Sequence, residues 1–354
     1  MSKVVVLKTK PETILDDYSR LMELAEYQKY IKKSVETIIK LNLSWSRYFP
    51  ACSTQPWQLE GILKKMTVDG YKNLHLMENK TVVTDVWEGA KGNKWLPIMQ
   101  KYGSKYEPLT DVEWINYKPK TNLLALDKIF EDGHQIPKIF IGKNVLHPST
   151  MKCHGHTVIS GAMKNAFGGL ITEKRHHCHK VIHEILVDLL AIQKEIHKGI
   201  FAVVDGTVCG NGNGPRTMEP VIKNYILASN DQVAIDAISA KMMGFDPMKI
   251  EFIKMAHDRG LGIGDLGQIE IIGEDITNVN FGFKTGRSPV IYFDQVFRQG
   301  VFSFLEPLLF HTGLFALCIF GSEFYHDRLW YPTLGKIKIN KFKKTEWGRL
   351  FNKY

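Results

Sequence analysis

VETIIKLNLSWSRYFPACSTQPWQLEGILKKM, residues 35–66, reads as one strand, one loop and one helix. VETIIKLNL (35–43) is a β-branched run of strand length, SWSRYFPACSTQP (44–56) is a loop, and WQLEGILKKM (57–66) sets its apolar residues on one side of a helix. Ser53 and Thr54 are cap residue types, and Pro56 suits a first turn. In open α/β sheets such loops lie at the carboxyl ends of strands, where ligands bind. Lys40 and Asn42 are therefore candidate substrate-binding residues.

The same texture repeats outward. KVVVL (3–7), NLHLME (73–78), PKIFIG (137–142), GIFAVVD (199–205), NYILAS (224–229) and IEIIG (269–273) are strand-like runs separated by helical patterns. The fold class is α/β, with a largely parallel or mixed sheet covered by helices. ASNDQVAIDAISAKMMGFDP (228–247) reads as strand, cap and helix, with Asp231 at the cap and Gly244 closing the helix. One α/β domain is expected over residues 1–290, with an aromatic and basic extension over 291–354 packed on it.

With 354 residues, 44% hydrophobic and 23% charged, the chain can bury a substantial core and lacks the bias of a disordered one. A net charge of +9 and a pI near 9.1 favour anionic partners, but no recognisable nucleic-acid module is present. Five scattered cysteines, Cys52, Cys153, Cys178, Cys209 and Cys318, form no disulfide framework and point to a reducing compartment. The opening MSKVVVLKTKPE has no signal-peptide core, so a cytoplasmic protein is expected. In FSFLEPLLFHTGLFALCIFG (302–321), Glu306, Pro307 and His311 leave no uninterrupted stretch long enough to span a bilayer. A buried element is expected there, with peripheral membrane contact as the alternative. KIKINKFKK (336–344) alternates like a strand with one solvated face.

Chemistry-capable side chains concentrate in two adjoining stretches. In MKCHGHTVISGAMKNAFGGL (151–170), Lys152 and His154 precede a helix predicted over 158–167, and Lys164, Asn165, Gly168 and Gly169 close it. Lysines and free backbone N–H groups suit an anion, although a solvated loop before an ordinary Gly-stopped helix has the same pattern. In EKRHHCHKVIHEILVDLLAIQKEIH (173–197), His179 and His183 stand four apart at a helix start. Cys178 or His176 could complete a metal set, and a polar helix start is the plainer reading. The zinc-protease pattern is absent.

DGTVCGNGNGPR (205–216) has glycines at 210, 212 and 214, but no third fingerprint glycine and no following helix, so a dinucleotide site is not expected. Asp205, at a strand end before a flexible turn, remains a catalytic candidate. Asp231 and Asp236 could hold a divalent cation or simply serve a helix start. Nucleophile-elbow, P-loop, CxxC and iron–sulfur patterns are all missing.

IKLNL with STQP, KCHGHTVISGAMKNAFGGL, VVDG with GNGP, ASNDQVAIDAISAKMMGFDP and GLGIGDLG together resemble the domain of unknown function family 362 over about residues 35–275. WYPTLG and EWGRLFNKY extend that resemblance weakly to the end. It implies functional weight for Lys152, His154, Lys164, Asn165, Asp205, Gly214, Pro215, Asp231 and Asp236. It also implies that some members carry four-iron clusters in an added cysteine-rich module, which this chain lacks, so such a cluster is not expected.

The leading expectation is an enzyme acting on a small anionic phosphate or carboxylate metabolite. Lys152 and Lys164 would hold the anion, His154 would transfer a proton, Asp205 would orient it, and Asn165, Gly168 and Gly214 would contact substrate. A divalent or transition metal is the cofactor these side chains could take. The alternatives are a metal-binding or redox-accessory protein using Cys153, Cys178, His179 and His183 towards a redox partner, and a scaffold at an acidic membrane surface.

Overall fold

In β1, Val4 and Val6 enter one core while Val5 and Leu7 enter another, so the strand is apolar on both faces and must lie inside a covered sheet. The computed structural model describes residues 1–81 and 83–354, and all their side chains except those of Glu173 and Lys174. Its strands are β1 (Ser2–Lys8), β2 (Thr37–Lys40), β3 (Leu74–Met77), β4 (Lys105–Tyr106), β5 (Trp114–Tyr117), β6 (His134–Pro137), β7 (Asn144–His154), β8 (Val158–Ile159), β9 (Gly199–Asn213), β10 (Thr217–Ser229) and β11 (Ile269–Gly273).

The main sheet runs β11-β1-β10-β9-β7-β2-β3-β4, with β8 against β7, while β5 and β6 form a separate pair. Along that path β10 alone is antiparallel to its neighbours, so the sheet is mixed and mostly parallel. Helices Ile182–Ile196, Gln232–Met243 and Glu251–Asp258 cover one face. Helices Ile14–Leu24 and Pro56–Val68 cover the other, where Trp347 and Phe351 of the C-terminal helix Glu346–Lys353 also pack.

Several local expectations are corrected. Helix Pro56–Val68 has Gln55 at its N-cap, whose backbone N–H donates to Gln58 Oε1 at 3.3 Å, and not Ser53 or Thr54; Thr54 instead donates to the Pro148 carbonyl at 2.7 Å. PKIFIG is not a strand, because β6 stops at Pro137 and a tight turn, Lys138–Phe140, follows. No helix covers 158–167. Val158 and Gly161 have positive φ, and helix begins only at Asn165. Any Cβ on Gly161 would meet the Asp236 carboxylate at 2.4 Å, so that turn requires glycine. GNGNGP is no loose turn either: β9 runs on to Asn213, paired with β10.

The C-terminal segment differs most. KIKINKFKK is helical, Lys336–Lys343, because Ile339 and Phe342, three apart, both bury against the second core. Residues 302–321 are not a buried element, since Phe302, Phe304, Leu308, Leu314, Leu317 and Phe320 are all exposed. Among the described residues no single helix is long and apolar enough to cross a membrane.

Candidate functional site

β2 and β7 are adjacent and parallel, and their carboxyl ends deliver Lys40, Lys152 and His154 to one side of the sheet. A cavity of about 700 Å³ opens there. Its polar wall carries Lys40, Lys152, Lys164, Arg175, Arg216 and Arg298 against two carboxylates, Glu78 and Asp294. Asn42, Asn165 and Gly168 line it as well, so seven of the sequence's anion-site candidates converge. The opposite wall is apolar, with Phe297, Leu309, Phe310 and Ile319 contributed by the C-terminal segment.

The lysines are not equivalent. Lys40 is buried and committed to Glu78 at 2.5 Å and to the Leu41 carbonyl at 2.7 Å. Lys152 donates to the Cys52 carbonyl and Asn42 Oδ1 at 2.6 Å each, to Thr150 Oγ1 at 2.9 Å and to Ser44 Oγ at 3.2 Å. Those oxygens use all three of its protons, so it adds positive potential to the cavity without a spare donor. Burial lowers its pKa to about 8. Lys164 has no hydrogen bond or carboxylate partner among the described residues; its Nζ lies 5.2 Å from the centre of the Phe167 ring. Burial, then Lys152 and Arg175, bring its pKa down to about 7. An anion would supply the counter-charge that the described residues do not.

His154 does not keep the near-neutral pKa expected of a proton carrier. Burial, then the Lys164 charge, hold it well below the ordinary value, and its Nδ1 accepts the His156 backbone N–H at 3.2 Å.

The metal-capable residues assemble differently from the predicted set. His179 lies in tight turns spanning Glu173–Val181, whereas His183 belongs to the next helix, Ile182–Ile196, so the two do not share one helical face. His183 Nε2 instead meets the His156 carbonyl at 3.2 Å. Cys178 is buried outside the cavity wall, its thiol pushed up to about 12 by burial. His176 lines the cavity but stacks on Phe315 with ring centres 3.9 Å apart. His179 meets two residues that sequence reading missed.

His156 Nε2 lies 3.6 Å, and His179 Nδ1 3.8 Å, from the same Asp294 Oδ2. One ligand atom from each residue falls within 4.8 Å of the others, the only such trio of metal-capable side chains among the described residues. Tetrahedral ligands at about 2.1 Å stand about 3.4 Å apart, so the two separations from Asp294 are only slightly wider than a bound ion needs. Asp294 Oδ1 is held by Arg298 Nε at 2.9 Å, while Oδ2 and His179 Nδ1 are buried with no hydrogen-bond partner. Although burial pushes the Asp294 carboxyl up, His179 and Arg298 hold it well below the usual range. Burial lowers His156 to about 3, which keeps the ring neutral as a ligand must be. Asp294 sits in the aromatic run VIYFDQVF with Arg298 four residues on, the one sequence signal that could have marked it.

Besides Cys178 and His183, four more predicted residues fall outside the cavity wall. Asp205 is buried under Tyr18, Trp57 and Thr207. Asp231 caps helix Gln232–Met243, accepting from the Val233 and Ala234 amides, as expected of a cap. Asp236 accepts the amides of Ala162 at 2.5 Å and Met163 at 3.0 Å, and among the described residues neither aspartate joins a cluster of three metal-capable side chains. Gly214 is a packing position: a Cβ there would lie 1.7 Å from the Cys153 carbonyl oxygen.

Mixed sheet, cationic strand ends and a half-apolar cavity define an α/β protein with a cation-lined cavity at the strand ends. The chain belongs to the family described as "Domain of unknown function (DUF362)", whose profile matches residues 37–241. No curated protein and no solved structure matches it. Asp294 and Arg298 lie outside the matched span, whereas Lys152, His156, Lys164 and His179 lie within it.

Proposed function

We propose that the protein is a metal-dependent enzyme acting on an anionic substrate with a phosphate or carboxylate group. One observation carries this reading: Lys164, an ammonium without a counter-ion among the described residues, and an incompletely satisfied His156–His179–Asp294 trio line the same cavity. Phe167 joins the two, since its ring faces Lys164 Nζ at 5.2 Å and stacks on His179 with ring centres 6.3 Å apart. In this reading Lys164 holds the anion, Lys152 and Arg175 deepen the positive potential, and Arg298 orients Asp294. A divalent transition metal held by the trio would supply Lewis-acid polarisation of a substrate or water oxygen. The redox-accessory alternative loses its support, because Cys178 and His183 do not join His179 around one point.

Calorimetric titration with inorganic phosphate, alongside a panel of phosphate and carboxylate esters, tests the reading. Turnover of an ester that stops on chelation and returns with added metal is expected. Turnover indifferent to chelation, or phosphate affinity unchanged in Lys164→Met, overturns it.

A further inference from the structure

The C-terminal segment shows water a surface that soluble proteins rarely leave open. Phe304, Leu317, Phe320 and Ile337 are 73%, 67%, 65% and 65% exposed. Charge accompanies them: residues 301–354 hold eight Lys or Arg against four Asp or Glu. Arg328, Lys336 and Lys341 are exposed within the same helical run as Leu317, Phe320 and Ile337. Segments Ser303–Phe310 and Phe315–Lys343, bent by 89°, together have the length and apolarity of a membrane element although neither does alone. Such composition, with cations beside apolar rings, fits a helix pair lying in a lipid interface.

The same surface continues into the cavity. Phe293 and Leu317 line its wall and are also 58% and 67% exposed, so its apolar side opens directly onto the patch. A small hydrophilic anion would leave that apolar wall without a partner.

We propose that the segment from Pro289 to Lys341 seats on an anionic lipid surface and that the cavity takes an amphiphile from it, its phosphate or carboxylate head at Lys164 and its hydrocarbon chain against Phe297, Leu309 and Ile319. The head-group half rests on the anion pocket described above, while the docking half stands on the exposed surface alone.

Titration of the full chain with methyl phosphate and octyl phosphate separates the two halves. The account expects octyl phosphate to bind about a hundredfold more tightly, the effect of burying a few methylene groups. Equal affinity for both overturns the chain-binding wall and leaves the anion pocket standing; failure of both to bind overturns the pocket itself. Sedimentation with phosphatidylcholine vesicles containing about 30% phosphatidylglycerol tests docking, because anionic lipid attracts basic segments. Binding to these vesicles, lost in a Phe320→Glu, Ile337→Glu double variant that keeps its octyl phosphate affinity, is expected. Protein left in the supernatant, or a dimer in solution that the double variant dissolves, overturns docking; the dimer would mean that a second copy covers the face.

Discussion

Asp205 and Asp294 are both carboxylates withdrawn from water, yet the protein treats them in opposite ways. Around Asp205, Tyr18 and Trp57 donate to one oxygen at 2.7 and 2.9 Å, and the Thr207 hydroxyl and amide donate to the other at 2.7 and 3.0 Å. Around Asp294, Arg298 holds one oxygen and the other points at two imidazoles without a hydrogen bond. Lys40, matched by Glu78, and Lys164, matched by nothing among the described residues, repeat the contrast in cations. A buried charge whose bonds are complete holds the fold together, and one whose bonds are incomplete has room for a ligand to complete them.

That contrast can be broken by mutation. Asp205→Ala should cost about 3–5 kcal/mol in urea unfolding, because it strands buried donors of Tyr18, Trp57 and Thr207. Asp294→Ala should cost less, about 1–3 kcal/mol, since it strands one buried donor group, the Arg298 guanidinium. Comparable losses would erase the distinction.

Lys164 sharpens it through pH. Its folded pKa of about 7 lies below an open-chain value of about 10.4, so below pH 7 it is charged in both states and its burial cost is fully felt. From pH 7 towards 10.4 the unfolded chain binds more protons, and that cost is progressively relieved. Lys164→Met should therefore be more stable than the parent by about 1–3 kcal/mol at pH 6, with a smaller gap at pH 9. A gap that widens with pH in thermal or urea unfolding contradicts the assignment. Phosphate affinity should fall about tenfold in this variant at pH 6, and in the parent it should weaken as pH rises past 7. The smallest effect is expected of Cys178→Ala, which should leave metal content unchanged.

The sheet was largely legible because its strands are apolar runs, as in KVVVL, NYILAS and IEIIG. β7 was not, since His147, Pro148, Ser149, Lys152 and His154 interrupt any apolar period. Pro148 is tolerated because pairing with β2 ends at Leu146, so its missing N–H breaks no ladder on that side. Lys40, Asn42, Lys152, His154, Lys164, Asn165 and Gly168 were legible as neighbours because they lie in two short motifs at adjacent strand ends. The His156–His179–Asp294 trio was not, because its carboxylate comes from a helix folded back from far along the chain. Spacing likewise paired His179 with His183, but a change from tight turns to α-helix at Ile182 separates them.

Metal content measured by elemental mass spectrometry on protein purified without chelators tests the central claim most directly. About one equivalent of a divalent transition metal is expected in the parent and in Cys178→Ala, with none retained in His179→Ala or Asp294→Ala. Metal absent from the parent even after incubation with zinc, or kept in full by His179→Ala and Asp294→Ala, would contradict it.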